Sequence, residues 1–348
     1  MKFAVVGAGV IGETHARLIT SLPGEAELVA VVDVEADRAA AMSSKYGGEP
    51  MTELEKACAR PDIDAVSICL PSGLHADAAI TALEAGRHVV VEKPIDVTLA
   101  AADRLIDVEQ RTGLTVAVIS QRRFQHAPAF VHQAVAEGRL GRITAGIAES
   151  AFWRSQEYYD SGGWRGTVAL DGGGALMNQG IHVVDLLLWM LGEPVEVQAY
   201  SDLLAHERID VEDTVAATVR FRSGAIGSIV ATTAAYPGRP VRLSVYGDRG
   251  SAVIEQDDLV AFDTADGEPA DQARSAQPVA DGEPAAEASV SRSVADAHRD
   301  QYLDFIAAVR DGRPPSIGTQ DARRALEVVL GIYESARTGG PVQLSGRQ

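Results

Sequence analysis

The chain predicts two domains of different class, an α/β domain on a parallel sheet and then an α+β domain on an open, mainly antiparallel sheet. Three observations carry this. Over residues 2–120 short apolar runs alternate with helical patterns, as βαβ units require. After residue 120 the runs alternate apolar with polar residues and are joined by turn signals. The length of 348 residues exceeds what one core usually holds. The expected boundaries are 1–120 and 121–348.

The first strand is expected at Phe3–Val6 and the first helix at Glu13–Ser21. Further strands follow at Leu28–Val32, Ala65–Leu70, His88–Val91 and Thr115–Ile119, with helices at Ala76–Ala85 and Leu99–Thr112. Right-handed crossovers then give a parallel sheet with ligand sites at the carboxyl ends of its strands. In the second half a helix, Pro128–Glu137, runs out at Gly138 and Gly141, and a strand spans Ile143–Ser150. An aromatic, glycine-rich loop leads to a long apolar helix, Ala175–Leu191, stopped by Gly192 and Pro194. Strands are expected at Val195–Ser201, Thr214–Phe221, Ala225–Thr233, Val241–Tyr246 and Ser251–Glu255. Residues 265–289 are rich in Ala, Asp, Glu, Pro and Gly and read as a long mobile loop. Helices Val294–Arg310 and Thr319–Thr338 close the chain.

The segment between the first strand and helix reads Gly7-Ala8-Gly9-Val10-Ile11-Gly12. Gly7 permits a tight turn, Gly9 lets backbone approach a pyrophosphate, and Gly12 lets the helix pack close to the strand. The phosphates then meet a helix N-terminus, with free N–H groups and a positive dipole end. The second strand ends in Asp33, roughly twenty residues past the last glycine, where an acid grips ribose hydroxyls. Gly7, Gly9, Val10, Ile11, Gly12 and Asp33 are therefore the expected dinucleotide contacts. A carboxylate repels a 2′-phosphate, and no Arg follows Asp33 before Arg38, so NAD is favoured over NADP.

A formal net charge of −18 argues against nucleic acid as a partner. Cys58 and Cys69 form no metal-type spacing, and a disulfide framework is not expected, which fits a cytoplasmic location. No metal is expected. The N-terminal apolar stretch is too short and glycine-broken for a signal peptide, and no run is long enough to span a bilayer.

Candidate catalytic groups follow from position. The only lysines are Lys2, Lys45, Lys56 and Lys93. Lys93 emerges at a strand's carboxyl end inside Glu92-Lys93-Pro94, in a chain that otherwise prefers Arg; unlike Arg, Lys can release a proton. It reads either as a group that hydrogen-bonds a reacting oxygen or as half of a Glu92–Lys93 ion pair. Glu92 and Lys93 both count among the expected cofactor contacts. In Asp171-Gly172-Gly173-Gly174-Ala175-Leu176-Met177-Asn178-Gln179-Gly180-Ile181-His182, Asn178 and His182 share a helical face. The three glycines before the helix let backbone lie close to a ligand, and Gly180 suggests close approach by a substrate or a neighbour. His182 suits proton exchange near neutrality, or else is a core histidine capped by Asp185. Phe152, Trp153, Tyr158, Tyr159 and Trp164 crowd one loop flanked by Arg154 and Arg165. Rings of this kind stack on sugar faces, or else cover a domain junction. Trp153 and Tyr158 are expected substrate contacts. Pro71, Ser72 and His75 follow a strand end and are expected along the nicotinamide half, although His75 also reads as a plain helix-start residue. Gln121 (cofactor) and Arg123 (substrate) follow the last parallel strand.

The Gly7–Gly12 turn, Glu92-Lys93-Pro94, Trp164-Arg165-Gly166, Val211-Glu212-Asp213-Thr214 and the Gly172–Leu191 segment together resemble the Gfo/Idh/MocA family. The likeness implies a Rossmann domain plus an open-faced sheet domain, and NAD-dependent redox chemistry on a sugar, nucleotide sugar or cyclitol. It further implies Lys93 and His182 as the catalytic pair, with Trp164 and Arg165 near the cofactor. Many members carry Asp four residues before the His, where this chain has Asn178. That departure weakens an inositol assignment and is similar to members acting at C3 of hexose or UDP-hexuronate substrates. An inositol dehydrogenase or a carbonyl or imine reductase of the same family is the alternative, with a non-enzymatic sensor behind it. Strand Ala225–Thr233 is apolar on both faces, so the sheet is expected to pack on another subunit in a homodimer or homotetramer.

Overall fold

A computed structural model describes residues 1–267 and 285–345, with side chains from residue 296 onward in the second stretch. The described residues divide into two compact units, Met1–Ile119 with His298–Arg323, and Ser120–Ala297 with Arg324–Gln348.

The first unit runs β1 (Lys2–Val6), α1 (Val10–Thr20), β2 (Glu27–Val32), α2 (Ala36–Tyr46), β3 (Glu49–Met51), α3 (Leu54–Cys58), β4 (Ala65–Ile68), α4 (His75–Glu84), β5 (His88–Val91), α5 (Leu99–Thr112) and β6 (Val116–Val118). All six strands are parallel, in the order β3-β2-β1-β4-β5-β6. That order reverses between β1 and β4, which creates the switch point where a dinucleotide binds in this architecture. The central strands β1, β2, β4, β5 and β6 are mostly apolar and buried because helices cover both faces. Helix α5 shows local logic: the Thr98 hydroxyl accepts from the Ala101 amide at 3.2 Å, and Gly113 (φ 67°) ends it in left-handed geometry.

The second unit runs α6 (His126–Ala136), β7 (Ile143–Ala151), α7 (Gln156–Asp160), a π-helical turn (Ala175–Gly180), α8 (Ile181–Leu191), β8 (Pro194–Asp202), β9 (Thr214–Phe221), β10 (Ile226–Thr232), β11 (Arg242–Gly247), β12 (Gly250–Glu255) and β13 (Asp258–Thr264). Helices α9 (Ala285–Asp311) and α10 (Thr319–Thr338) and strand β14 (Val342–Gln343) end the chain. The eight-stranded sheet has the order β13-β12-β11-β7-β10-β9-β8-β14. Its pairs are antiparallel except β7 with β10, which run parallel.

One sheet face packs on α8. There Gly146 and Gly227 leave room for helix side chains: a Cβ at Gly146 would lie 2.8 Å from Leu187 and 2.9 Å from Leu191. The opposite face is open, with Tyr200, Ile226, Val230 and Ile147 exposed. Tyr200, Ala216 and Val230 fall in one cross-strand row. The expected loop 265–289 lies mostly outside the described residues, and α9 is assigned from Ala285 rather than Val294. The edge strand β3 and strands β13 and β14 lie outside the runs expected as strands from the sequence. The expected helix Ala175–Leu191 is not regular throughout, since its first six residues form the π turn.

Candidate active site

The glycine turn is built as its spacing requires. Gly7 sits at φ 98°, and a Cβ on it would lie 2.4 Å from the Cys69 carbonyl oxygen. A Cβ on Gly12 would lie 1.8 Å from the Gly7 carbonyl oxygen. Gly9 differs: a Cβ there meets nothing within 4 Å. Gly9 is the N-cap of α1 and has no side chain to cap it, and Val10 beside it is 84% exposed. The first amides of a helix have no intrahelical acceptor, so the turn presents donors around an open space. Asp33 borders it; its Oδ2 accepts from Ala8 N at 2.7 Å and its Oδ1 from Glu35 N at 2.9 Å. This cradle fits a dinucleotide pyrophosphate and ribose.

The β4 and β5 ends lie beside each other in the same sheet. Ser72 is buried in a short 3-10 turn (Ser72–Leu74) that begins after Pro71. His75 is buried, with Nδ1 2.7 Å from the Pro94 carbonyl oxygen and Nε2 2.8 Å from that of Leu70. Its ring thus ties the two strand-end loops together, and both nitrogens are engaged by main chain. Asp96 steadies the same loop, accepting from Ala76 N at 3.1 Å and Val97 N at 2.7 Å. Lys93 is half-buried at the end of β5.

Glu92 points inward. Its Oε1 lies 3.0 Å from His15 Nε2, and its Oε2 accepts the Lys93 amide at 3.1 Å. Burial alone would raise the Glu92 pKa, but the hydrogen bond and charge of His15 outweigh that and bring the carboxyl to about 2. Its side chain is therefore committed to the protein interior, not to the cofactor contact expected of it. His15, Glu92 and His298 place ligand atoms within 4.8 Å of one another, a set that could hold a cation. His15 Nδ1, however, lies 2.8 Å from both the Ser67 and Tyr302 hydroxyls, so both its nitrogens already serve a hydrogen-bond network.

In the second unit the start of the Ala175–Leu191 segment is held from two sides. The Glu212 carboxylate accepts from Gly174 N at 2.8 Å and Leu176 N at 2.9 Å, an acid at a helix N-terminus. Tyr333 donates to Glu212 at 3.0 Å and accepts from Met177 N at 3.1 Å. Burial raises the Glu212 carboxyl above its ordinary range, against the lowering pull of these amides. The glycines answer to this packing. A Cβ on Gly174 would meet the Glu212 carbonyl at 1.7 Å, and one on Gly173 the Tyr333 hydroxyl at 2.3 Å. Gly180 faces Ala231 of β10. The close neighbours of Gly173 and Gly174 are thus protein atoms, which corrects the expectation of a ligand there, while Gly180 has the protein neighbour that was one of its two expected reasons.

Asn178 donates Nδ2 to Asp171 Oδ1 at 2.7 Å, while Asp171 Oδ2 accepts from Gly166 N at 2.9 Å. A carboxylate can only accept here, so it fixes which way the amide faces, and the Asn178 carbonyl oxygen lies 3.5 Å from Gln179 Nε2. His182 lies in the first turn of α8, half-buried. Asp185, one turn further along α8, pairs with Arg123. Arg123 Nη2 lies 2.5 Å from Asp185 Oδ1 and Nε 2.8 Å from Oδ2, both side chains are buried, and Ser120 also donates to this carboxylate. Arg123 also lies over the Trp189 ring at 5.3 Å. It is a structural tether rather than the substrate contact expected. Gln121 is buried, and its Oε1 has no hydrogen-bond partner among the described residues.

The aromatic loop forms its own stack. The Tyr158 ring lies between Arg154 at 4.9 Å and Arg165 at 4.8 Å, and Arg165 also covers Trp164 at 4.8 Å. Trp153 packs edge-on against Tyr236, and both are exposed. Tyr159 is buried, bonded to Thr233 at 2.8 Å, and its hydroxyl is pushed up to about 12 by burial.

Comparison with known proteins agrees with this construction. Residues 1–120 match the model of an oxidoreductase family with an NAD-binding Rossmann fold, and residues 129–253 match that of the GFO/IDH/MocA C-terminal domain. The chain belongs to the Gfo/Idh/MocA oxidoreductase family. It is 30% identical over 272 residues to inositol 2-dehydrogenase of Rhizobium meliloti, covering 77% of this chain and 79% of the relative. It is 28% identical over 320 residues to 4-carboxy-2-hydroxymuconate-6-semialdehyde dehydrogenase of a Sphingobium species, covering 91% and 92%. Among solved structures, the WlbA dehydrogenase from Bordetella pertussis, in complex with NADH and UDP-GlcNAcA, superimposes with a TM-score of 0.86 at 31% identity, covering 99% of each chain. Among the described residues no helix is long and apolar enough to cross a membrane.

Proposed function

We propose that this member oxidises a secondary alcohol of a sugar, sugar derivative or cyclitol with NAD, reversibly. The observation that carries the reading is the open glycine cradle at Gly9, with the Asp33 carboxylate on its border. The bound nicotinamide supplies the hydride acceptor, or the donor in reverse. The rest of the chemistry belongs to the chain. His182 takes the hydroxyl proton. Lys93 hydrogen-bonds the same oxygen and stabilises its developing charge. Asn178, oriented by Asp171, orients a substrate hydroxyl by hydrogen bonding but exchanges no proton. Trp153 and Tyr158 contact the substrate, while Gln121, Trp164, Arg165, Pro71 and Ser72 lie toward the cofactor.

Asn178 in place of the acid found in many members favours a hexose or nucleotide-linked uronate oxidised at C3 over inositol. The likeness to WlbA, solved with NADH and UDP-GlcNAcA, supports a nucleotide-linked sugar. The Sphingobium relative, named for a semialdehyde substrate, favours a second reading with a carbonyl-derived substrate. The open sheet face, with Tyr200, Ile226, Val230 and Ile147 exposed, fits a second copy of the chain in a dimer or tetramer.

The test is reduced-nicotinamide absorbance with free hexoses, UDP-sugars, UDP-uronates, inositols and aldehydes, for wild type and Lys93→Met. The reading expects turnover on a sugar or cyclitol, collapse of that turnover in the variant, and NAD binding kept within severalfold. Near-normal turnover in Lys93→Met removes Lys93 from the mechanism.

A further inference from the structure

We propose that His15 and Glu92 form a buried positioning pair that fixes Lys93 from behind, joining the helix of the cofactor turn to the strand end that carries the catalytic amine. The proposal rests on the reading of Lys93 given above.

The geometry is a continuous chain. His15 lies on α1, three residues past Gly12, and is fully buried. Its Nε2 meets Glu92 Oε1 at 3.0 Å, and Glu92 Oε2 holds the amide of Lys93 itself at 3.1 Å. Behind His15, the Ser67 and Tyr302 hydroxyls each lie 2.8 Å from Nδ1 and 2.7 Å from each other. On the far side of Lys93, His75 grips the Pro94 carbonyl. The main chain around Lys93 is thus anchored on both sides, with Glu92 reaching back to the pyrophosphate helix.

A purely architectural reason for the pair is weak. A buried ion pair seldom stabilises a fold more than apolar side chains of the same volume would. This one is aimed at the residue that carries the chemistry, and Glu92 and Lys93 also attract one another by charge. His298 contributes to the same field, its ring 6.2 Å from that of His15.

The test uses the full chain as wild type, Glu92→Gln and His15→Gln. Gln at 92 keeps an acceptor for the Lys93 amide but loses the charge that faces His15. Surface acylation with an acetylating reagent is followed by mass spectrometry. The chain has only four lysines, so Lys45 and Lys56 serve as internal references. In a folded variant we expect the Lys93 labelling rate, relative to Lys45 and Lys56, to change by about threefold or more, because both its setting and the adjacent charge are altered. On a turned-over substrate kcat should fall about thirtyfold or more, with KM and the NADH Kd within about threefold, the pattern of an interaction used in the transition state. Unchanged Lys93 labelling in a folded variant overturns the proposal, whatever the turnover. Should wild type turn over no sugar or cyclitol, the functional reading fails while the labelling still decides the pair. If Glu92→Gln does not fold, His15→Gln carries the same measurement.

Discussion

Replacing Gly9 by Ala should separate cofactor binding from folding. The added methyl meets no protein atom within 4 Å, and Gly9 already sits at an extended φ of −84°. Stability should therefore hold, with Tm moving by no more than about 2 °C, since a surface substitution is usually worth within about 0.5 kcal/mol. The methyl instead occupies the space into which the turn presents its amides. A pyrophosphate pushed outward loses one or two hydrogen bonds to a charged group, at about 1.5–3 kcal/mol each. The NADH dissociation constant should rise by roughly ten- to ten-thousandfold. Titration of NADH fluorescence beside a thermal melt reads both quantities on one sample. An unchanged Kd with an unchanged Tm would refute the cradle. The adjacent Gly12→Ala gives the contrast: its Cβ would lie 1.8 Å from the Gly7 carbonyl, so it should cost both binding and stability.

Three further outcomes follow from the same coordinates. Asp33→Asn should narrow the preference for NAD over NADP, measured as the ratio of kcat/KM values, because it removes the anion that repels a 2′-phosphate; an unchanged ratio would take Asp33 out of the discrimination. Arg123→Ala leaves buried Asp185 without its bidentate partner and should cost about 3–5 kcal/mol in urea unfolding, whereas a loss under about 1 kcal/mol would return Arg123 to the pool of substrate contacts. Glu92 titrates near 2 in the folded chain, below its ordinary 4.5, so its ionised form is the one the fold prefers. The stability it adds is present above about 4.5 and is lost as pH falls toward 2, so acid unfolding of Glu92→Gln should be shallower than wild type across that window; equal slopes would contradict the pairing with His15.

The parallel half was legible because its signals are local. Each buried strand is a short apolar run, each helix an amphipathic stretch, and Gly7 to Asp33 lie in one βαβ unit. What was missed depends on distant partners. Strand β3 is three residues with Pro50 at a sheet edge, too short and too polar to announce itself. The parallel pairing of β7 with β10 is a choice of neighbour across the sheet that neither strand encodes alone. Arg123 reads as a cleft residue from its place after β6, yet its partner Asp185 lies 62 positions away on α8. The glycines at 173, 174 and 180 announced close approach correctly but not what approaches, which is Tyr333, Glu212 and Ala231. His15 did leave a trace: it is a polar residue on the face of α1 that buries Ala16 and Ile19, away from Glu13 and Arg17. A titratable group on the core side of the cofactor helix asks for a buried partner, and Glu92 is that partner.

The claim on which the account turns is that Lys93 and His182 act on one oxygen. A crystal structure of the full chain with NADH and the best substrate of the panel measures this directly. The account predicts the Lys93 Nζ and a ring nitrogen of His182 each within about 3.2 Å of the same substrate oxygen. Either group held beyond hydrogen-bond reach of that oxygen, in a complex with the substrate ordered, would contradict it.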